Sequence, residues 1–342
     1  QMWITGASVG RYELQINTGR VVRDWDLYPN DTFIGKPMAT DDSLIHARVL
    51  RGTETIRVTA ANPKTGEEIW KTDVGVPVSM IRTAPGKGVH VVTSQAALFQ
   101  LDKEALDSGS TQGPIENPGE TAILILFADP MAIDDTRSLL INRAASDKIL
   151  VYDPSRPREW LRQVTLNISG GELSGGAIVA GGGLFMPLSS GRAVLVDWRT
   201  GSMMATPLQP PSDPAETVKW TAAVRLPEDA NQIVIADSRK KIYRIRVGEQ
   251  LRELASKDLE EELLGPAAGV GNTFVASLSG PAADFVVGYD LVGLDEKFRT
   301  LLNGRITWGP VAVGDICLLR TDDSMLRAFT DDGTQKFEVQ LP

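Results

Sequence analysis

The sequence predicts an all-β fold, a β-propeller of eight four-stranded antiparallel blades, and three observations carry that prediction. Strand-like runs recur along all 342 residues, a column of small residues and prolines repeats with them, and helix candidates are scarce. Such a repeat is explained by small sheets, each burying its faces against its neighbours.

The strand-like runs are rich in Val, Ile and Leu and are punctuated by Gly, Asp, Asn and Pro. The column is visible in GKPMAT, GVPVSM, ADPMAI, SGGAIV, WTAAVR, LGPAAG and WGPVAV. It falls at Pro37, Pro77, Pro130, Gly176, Ala222, Pro266 and Pro310, with gaps of 40, 53, 46, 46, 44 and 44 residues. This spacing suits a four-stranded blade. Small residues belong on the innermost strand, where blades crowd around a central channel. Each column is followed by a turn and a second strand, as in SLIHARVL, GVHVVTS, QIVIADS and DICLLRT. Gly and Asp in those turns tolerate the conformations that a strand reversal needs. The two helix candidates, Lys103–Asp107 and Leu259–Leu264, are short.

A third strand with its turn carries a family resemblance. RYELQINTGRVVRDW, TIRVTAANPKTGEEIW and AVLVDWRTGSMM combine an apolar strand, Asp or Asn, Thr-Gly and a following strand that often holds Trp. Degenerate copies include KILVYDPSRPREW and LRAFTDDGTQKF. The pattern resembles the pyrroloquinoline-quinone-like (PQQ-like, quinoprotein-like) β-propeller repeat family, in its non-enzymatic, BamB-like type. The resemblance covers essentially the whole chain. It implies one propeller domain over residues 1–342, with Trp70, Trp160 and Phe337 packed between neighbouring blades.

The third-strand turn occurs eight times and the column seven. The first blade, residues 1–27, is therefore expected to be incomplete and to start at its second strand, MWITGAS. A seven-bladed ring with three surplus strands is the alternative. Two segments exceed the repeat, Asp107–Glu120 and the proline-rich Pro207–Lys219. Long loops on a rigid scaffold are where binding residues concentrate.

Composition narrows the function. Apolar residues make up 42% and charged residues 23%, enough for a sizeable core. Asp plus Glu number 44 against 35 Lys plus Arg, a net charge of −9, which disfavours general nucleic-acid binding. No apolar run is long enough to span a bilayer. Cys317 is the single cysteine and sits in an apolar run, so an internal disulfide is excluded.

Catalytic and metal-binding constellations are not visible in the sequence. His46 and His90 lie on second strands of different blades and read as structural residues; a metal site needs several convergent ligands. Asp24, Asp26 and Asp31, and the pair Asp331–Asp332, match no calcium loop and read as turn formers. The resemblance also extends to quinoprotein dehydrogenases, which use vicinal cysteines and a calcium ion on the quinone. With one cysteine and no calcium loop, no cofactor is expected and the chain is not expected to be an enzyme.

One recurrent feature points to binding. Arg11, Arg48, Arg143, Arg192, Arg239 (with Lys240) and Arg320 fall at or near the turn after the second strand in six of the eight repeats. Ring closure would gather them on one face, where guanidinium groups suit carboxylate or phosphate. The expected function is a non-catalytic scaffold for protein partners, an extracytoplasmic module of a longer protein in the periplasm, cell envelope or secreted space. An anionic-segment or polysaccharide binder using the arginines ranks second, and a quinone-dependent oxidoreductase third.

Overall fold

The computed structural model describes residues 2–5, 9–14, 20–28, 31–40, 42–86, 88–108, 113–118, 130–142, 147–169, 171–210 and 217–340. Those residues form eight antiparallel sheets, and within each sheet the strands lie side by side in chain order. Among them the only α-helix is Lys103–Asp107. Asp102 caps it by accepting the Ala105 N–H at 2.9 Å. The other candidate, Leu259–Leu264, is an irregular connection: Leu264 donates to the Ser277 carbonyl and Pro266 follows. The expectation of nearly pure sheet holds.

The chain divides into two compact units. The first holds the first four of these sheets, each numbered as a blade in chain order. Blade one has three strands, Met2–Thr5, Val9–Leu14 and Val21–Leu27. Blade two has four, Thr32–Ala39, Leu44–Val49, Ile56–Ala61 and Glu68–Val74. Blade three has Val78–Thr83, Val89–Thr93 and Leu98–Leu101, and blade four runs from Met131–Ala132 to Leu161–Thr165.

The second unit holds blades five to eight. Blade five has Ile178–Ala180, Gly183–Pro187 and Ala193–Val196. The remaining three are four-stranded, beginning at Val224–Arg225, Ala268–Val270 and Ile306–Val313.

Among the described residues, blades three and five show three of the expected four strands each, and isolated bridges, Leu98 with Glu116 and Ala193 with Leu208, lie beside their third strands. Pro114 and Pro118 flank one bridge and Pro207 and Pro210 the other, and proline cannot donate to a ladder, which keeps both contacts short. Glu116 has a further role, since its carboxylate accepts the N–H groups of Trp160 and Leu161 at 2.9 and 2.6 Å. It thereby ties blade three to blade four.

The column residues mark the inner strands. Pro77, Pro130, Gly176, Ala222 and Pro266 each precede one by one or two residues, while Pro37 and Pro310 lie at register shifts within theirs. Crowding explains their size. A Cβ on Gly176 would meet the Ala222 Cα at 3.1 Å, and one on Gly269 would meet Val224 Cγ1 at 2.4 Å.

The core lies between blades. One cluster joins Ile45, Val58 and Ala60 of blade two to Ile81, Val89 and Val91 of blade three. Another joins Phe185 and Leu195 of blade five to Ile233, Ile235 and Tyr243 of blade six. Trp160 packs on a cluster shared by blades three and four, as expected, and Phe337 is buried. Trp70 packs on the core of blades two and three but is only half-buried, because its strand is the outermost of its sheet.

The turns that follow third strands close locally. Asn62 accepts the N–H of Lys64 and Thr65, Asp197 that of Arg199, Asp290 those of Val292 and Gly293, and Asp332 that of Thr334. Each is an Asx turn, the physical basis of the repeated Asp/Asn–Thr–Gly signature.

Candidate functional site: the arginine turns and the inner-strand trough

The arginines divide by partner. Arg48 is buried; its Nε donates to Asp31 at 2.9 Å, its Nη1 to Thr59 at 2.7 Å, and its guanidinium lies 3.4 Å from the Tyr28 ring centroid. Arg239 donates to Asp237 at 2.6 Å and to the Tyr243 hydroxyl at 3.1 Å. Both guanidinium groups are thus engaged with a carboxylate of their own blade. Arg192 and Arg320 are half-buried and donate to neutral oxygens, the Ser169 carbonyl at 3.5 Å and the Ser324 hydroxyl at 3.2 Å. Arg11 is located by its backbone on Val9–Leu14; its side chain and all of Arg143 lie outside the described residues. Lys240 donates to the Glu260 carbonyl at 2.9 Å.

The histidines are core residues. His46 has both ring nitrogens buried without a hydrogen bond and packs against the rings of Tyr28 and Phe33. Burial, reinforced by the Arg48 charge, lowers its pKa to about 3. His90 Nδ1 lies 2.9 Å from the Tyr152 hydroxyl, and burial lowers its pKa as well. Burial pushes the Cys317 thiol up to about 12, so it is not a reactive thiolate.

The acidic residues behave as turn formers where they are described. Asp31 accepts from Arg48 and the Arg51 N–H, and Asp332 accepts from Thr330 and Thr334. Asp24 and Asp26 have side chains outside the described residues. No cluster of three His, Cys, Asp or Glu suited to a metal ion occurs among the described residues.

A second site was not singled out by the sequence. In the second unit, the inner strands Val224–Arg225, Ala268–Val270 and Ile306–Val313 wall one lobe of a trough, whose second lobe is lined by residues outside those strands and adjoins the first at Pro266. One lobe, about 570 Å³, is bordered by Arg225, Ala268, Gly269, Val311 and Ala312. The other, about 600 Å³, opens among blade-to-blade connections and the second-to-third-strand turn of blade six, beside Lys219, Trp220, Asp237, Ser238 and Glu262. Pro266 borders both. Volumes of this size fall within the range of roughly 300–1,000 Å³ usual for ligand clefts.

The two lobes differ in chemistry. The lobe beside Glu262 carries both signs of charge, and its Asp237 is closed off by Arg239 and Tyr243. The other has Arg225 as its one charged lining residue. Along Ile306–Val313, Trp308 is 48% exposed, Val311 37% and Val313 41%. The local backbone requires glycine at 309: its φ is +87°, and a Cβ there would meet the Leu318 carbonyl oxygen at 2.6 Å. The available signal was in WGPVAV, an inner strand with no polar residue, and in the arginine that ends WTAAVR.

Comparison with known proteins agrees with this architecture. The sequence profile of a family described as outer membrane protein assembly factor BamB matches residues 46–249. No curated protein matches the chain by sequence. In fold it is similar to BamB from Moraxella catarrhalis, with a TM-score of 0.56 and 13% identity over 90% of this chain and 85% of that one. It is also similar to Sqt1 from Saccharomyces cerevisiae, at TM-score 0.60 and 10% identity over 90% and 84% of the two chains. The computationally designed Ika8 protein gives TM-score 0.55 and 11% identity over 97% of this chain and 93% of that one.

Proposed function

Because the chain belongs to the family of the outer membrane protein assembly factor BamB, we propose that it is a non-catalytic propeller that holds protein partners outside the cytoplasm. In this reading residues 1–342 form one ring of eight blades, the first with three strands. The observation that carries the scaffold role is the inner strand Ile306–Val313. It presents Trp308, Val311 and Val313 to solvent on a rigid sheet, and exposed apolar surface on a rigid element marks interaction sites. The buried titratable residues serve the fold: Asp237, Arg48 and His90 each have a partner inside a blade or between two.

Site-specific photo-crosslinking in the source organism tests the proposal. Benzoylphenylalanine at Trp308 or Lys219 should yield discrete protein adducts, and the same group at exposed outer-strand Glu253 should yield none. Equal adducts at all three positions, or none at any, would overturn the reading. The enzyme alternative has its own readout. Purified protein should not take up micromolar pyrroloquinoline quinone with calcium, and a quinone absorbance retained through gel filtration would restore it.

The arginines support a second mode of holding a partner. Arg192 and Arg320, each donating to a neutral oxygen, are joined in this proposal by Arg11 and Arg143 as contacts for an acidic segment or acidic polysaccharide. Arg192→Glu should then slow association more than it speeds dissociation, and the effect should fade with salt.

A further inference from the structure

We infer that the lobe bordered by Arg225 and Val311 is the docking groove for an extended apolar segment of a protein partner that carries one acidic side chain. The inference deepens the scaffold reading and rests on it. Its first support is the wall. Ile306–Val313 is an edge strand of its sheet, and Val311, Ala312 and Val313 are exposed in succession. Successive strand residues point to opposite faces, so exposure of all three means that both faces of this stretch are open to solvent, and Val311 and Ala312 border the lobe. By contrast, both apolar flanks of the Ala268–Val270 strand, Ala268 and Val270, are buried.

The second support is room. Ala223, Ala267, Ala268, Gly269 and Ala312 border the lobe, which keeps about 570 Å³ open. Gly269 is already against Val224, so the floor stays flat and low. Side chains of an incoming segment would bury apolar surface on both sides, which favours docking.

The third support, charge, selects the occupant. Arg225 pairs through its backbone with Ile233, but it is exposed and its guanidinium has no hydrogen bond or ion pair among the described residues. Other arginines of this unit are neutralised: Arg239 by Asp237, Arg299 by Glu296 and Glu261, Arg305 by Asp284, and Arg327 by Asp323 and Glu338. A lone guanidinium beside apolar walls favours a carboxylate and repels a cation.

Three blocked peptides test the groove on the full chain: acetyl-Val-Thr-Val-Glu-Val-Thr-amide, and the same sequence with Gln or Lys in place of Glu. Blocking both ends leaves the side chain as the only source of charge. Titration calorimetry should show the Glu peptide binding about tenfold or more tightly than the Lys peptide. Arg225→Glu should reverse that order, and Val311→Asp should weaken the Gln peptide. Both positions are exposed, so each variant should melt as the parent does. Equal binding of the Glu and Lys peptides, an order unchanged by Arg225→Glu, or no binding of the Glu peptide at millimolar concentration overturns the groove. Crosslinked partner adducts at Lys219 that survive in Arg225→Glu would then leave the scaffold reading standing. Absence of adducts at both Trp308 and Lys219 in the parent chain would remove that reading too.

Discussion

His46 and Asp237 are both titratable, both buried, and both on the second strand of a blade, yet the two units treat them in opposite ways. In the second unit Asp237 accepts from the Arg239 side chain, the Arg239 N–H and the Tyr243 hydroxyl. In the first unit His46 has neither ring nitrogen bonded and a guanidinium close enough to oppose its protonation. A charge can be buried when its partners are buried with it; otherwise the group stays neutral and the fold depends on its staying so. Asp284 follows Asp237: it accepts from Arg305 and the Ile306 N–H, clamping blade seven to blade eight.

The largest expected effect tests the networked side. Asp237→Ala leaves Arg239 and the Tyr243 hydroxyl without their acceptor, and should cost about 3–5 kcal/mol in chemical denaturation. A loss below about 1 kcal/mol would show that Arg239 recovers its solvation, and the contrast with His46 would collapse.

The next effect concerns pH. The His46 pKa falls from its usual 6.5 to about 3 in the folded chain. The unfolded chain therefore binds the extra proton first, and stability is lost as pH drops below about 6.5, until the folded pKa near 3 is reached. The slope is about 1.4 kcal/mol per pH unit inside that window. His46→Phe should flatten the component between pH 6 and 4.5, measured as the shift of denaturation midpoint. An unchanged acid slope would assign the effect to other groups.

The smallest of the three concerns packing. Trp70→Ala should cost about 2 kcal/mol, less than for a fully buried tryptophan, because the ring is half-exposed over the core of blades two and three. A loss under about 1 kcal/mol would mean that Trp70 does not hold those blades together.

Periodicity revealed what periodicity determines. The column at Pro77, Pro130, Gly176, Ala222 and Pro266 located inner strands to within two residues, and Thr-Gly located the third-strand turns. Partner choice was not legible. Arg48 and Arg192 occupy equivalent turns, but Asp31, 17 residues before Arg48, engages only the former. Among the described residues, the isolated bridges beside blades three and five sit between prolines, Pro114 and Pro118 or Pro207 and Pro210, in the two segments that the sequence displayed as long loops. The trough was hidden because its residues look like ordinary inner-strand residues. Only the packing of three successive blades side by side brings Arg225, Gly269 and Val311 to one lobe.

The Asx turns have a consequence for how the chain is made. Asn62, Asp197, Asp290 and Asp332 each find their backbone donors two or three residues ahead. Closing so short a loop costs little chain entropy, and local contacts form fast. As the chain emerges N-terminus first, an outer hairpin can close before the next blade has followed. Contacts between blades, such as Gly176 on Ala222, must wait for roughly one more repeat to emerge. The repeat signature is thus also a timetable: each blade's rim sets first and its inner edge last.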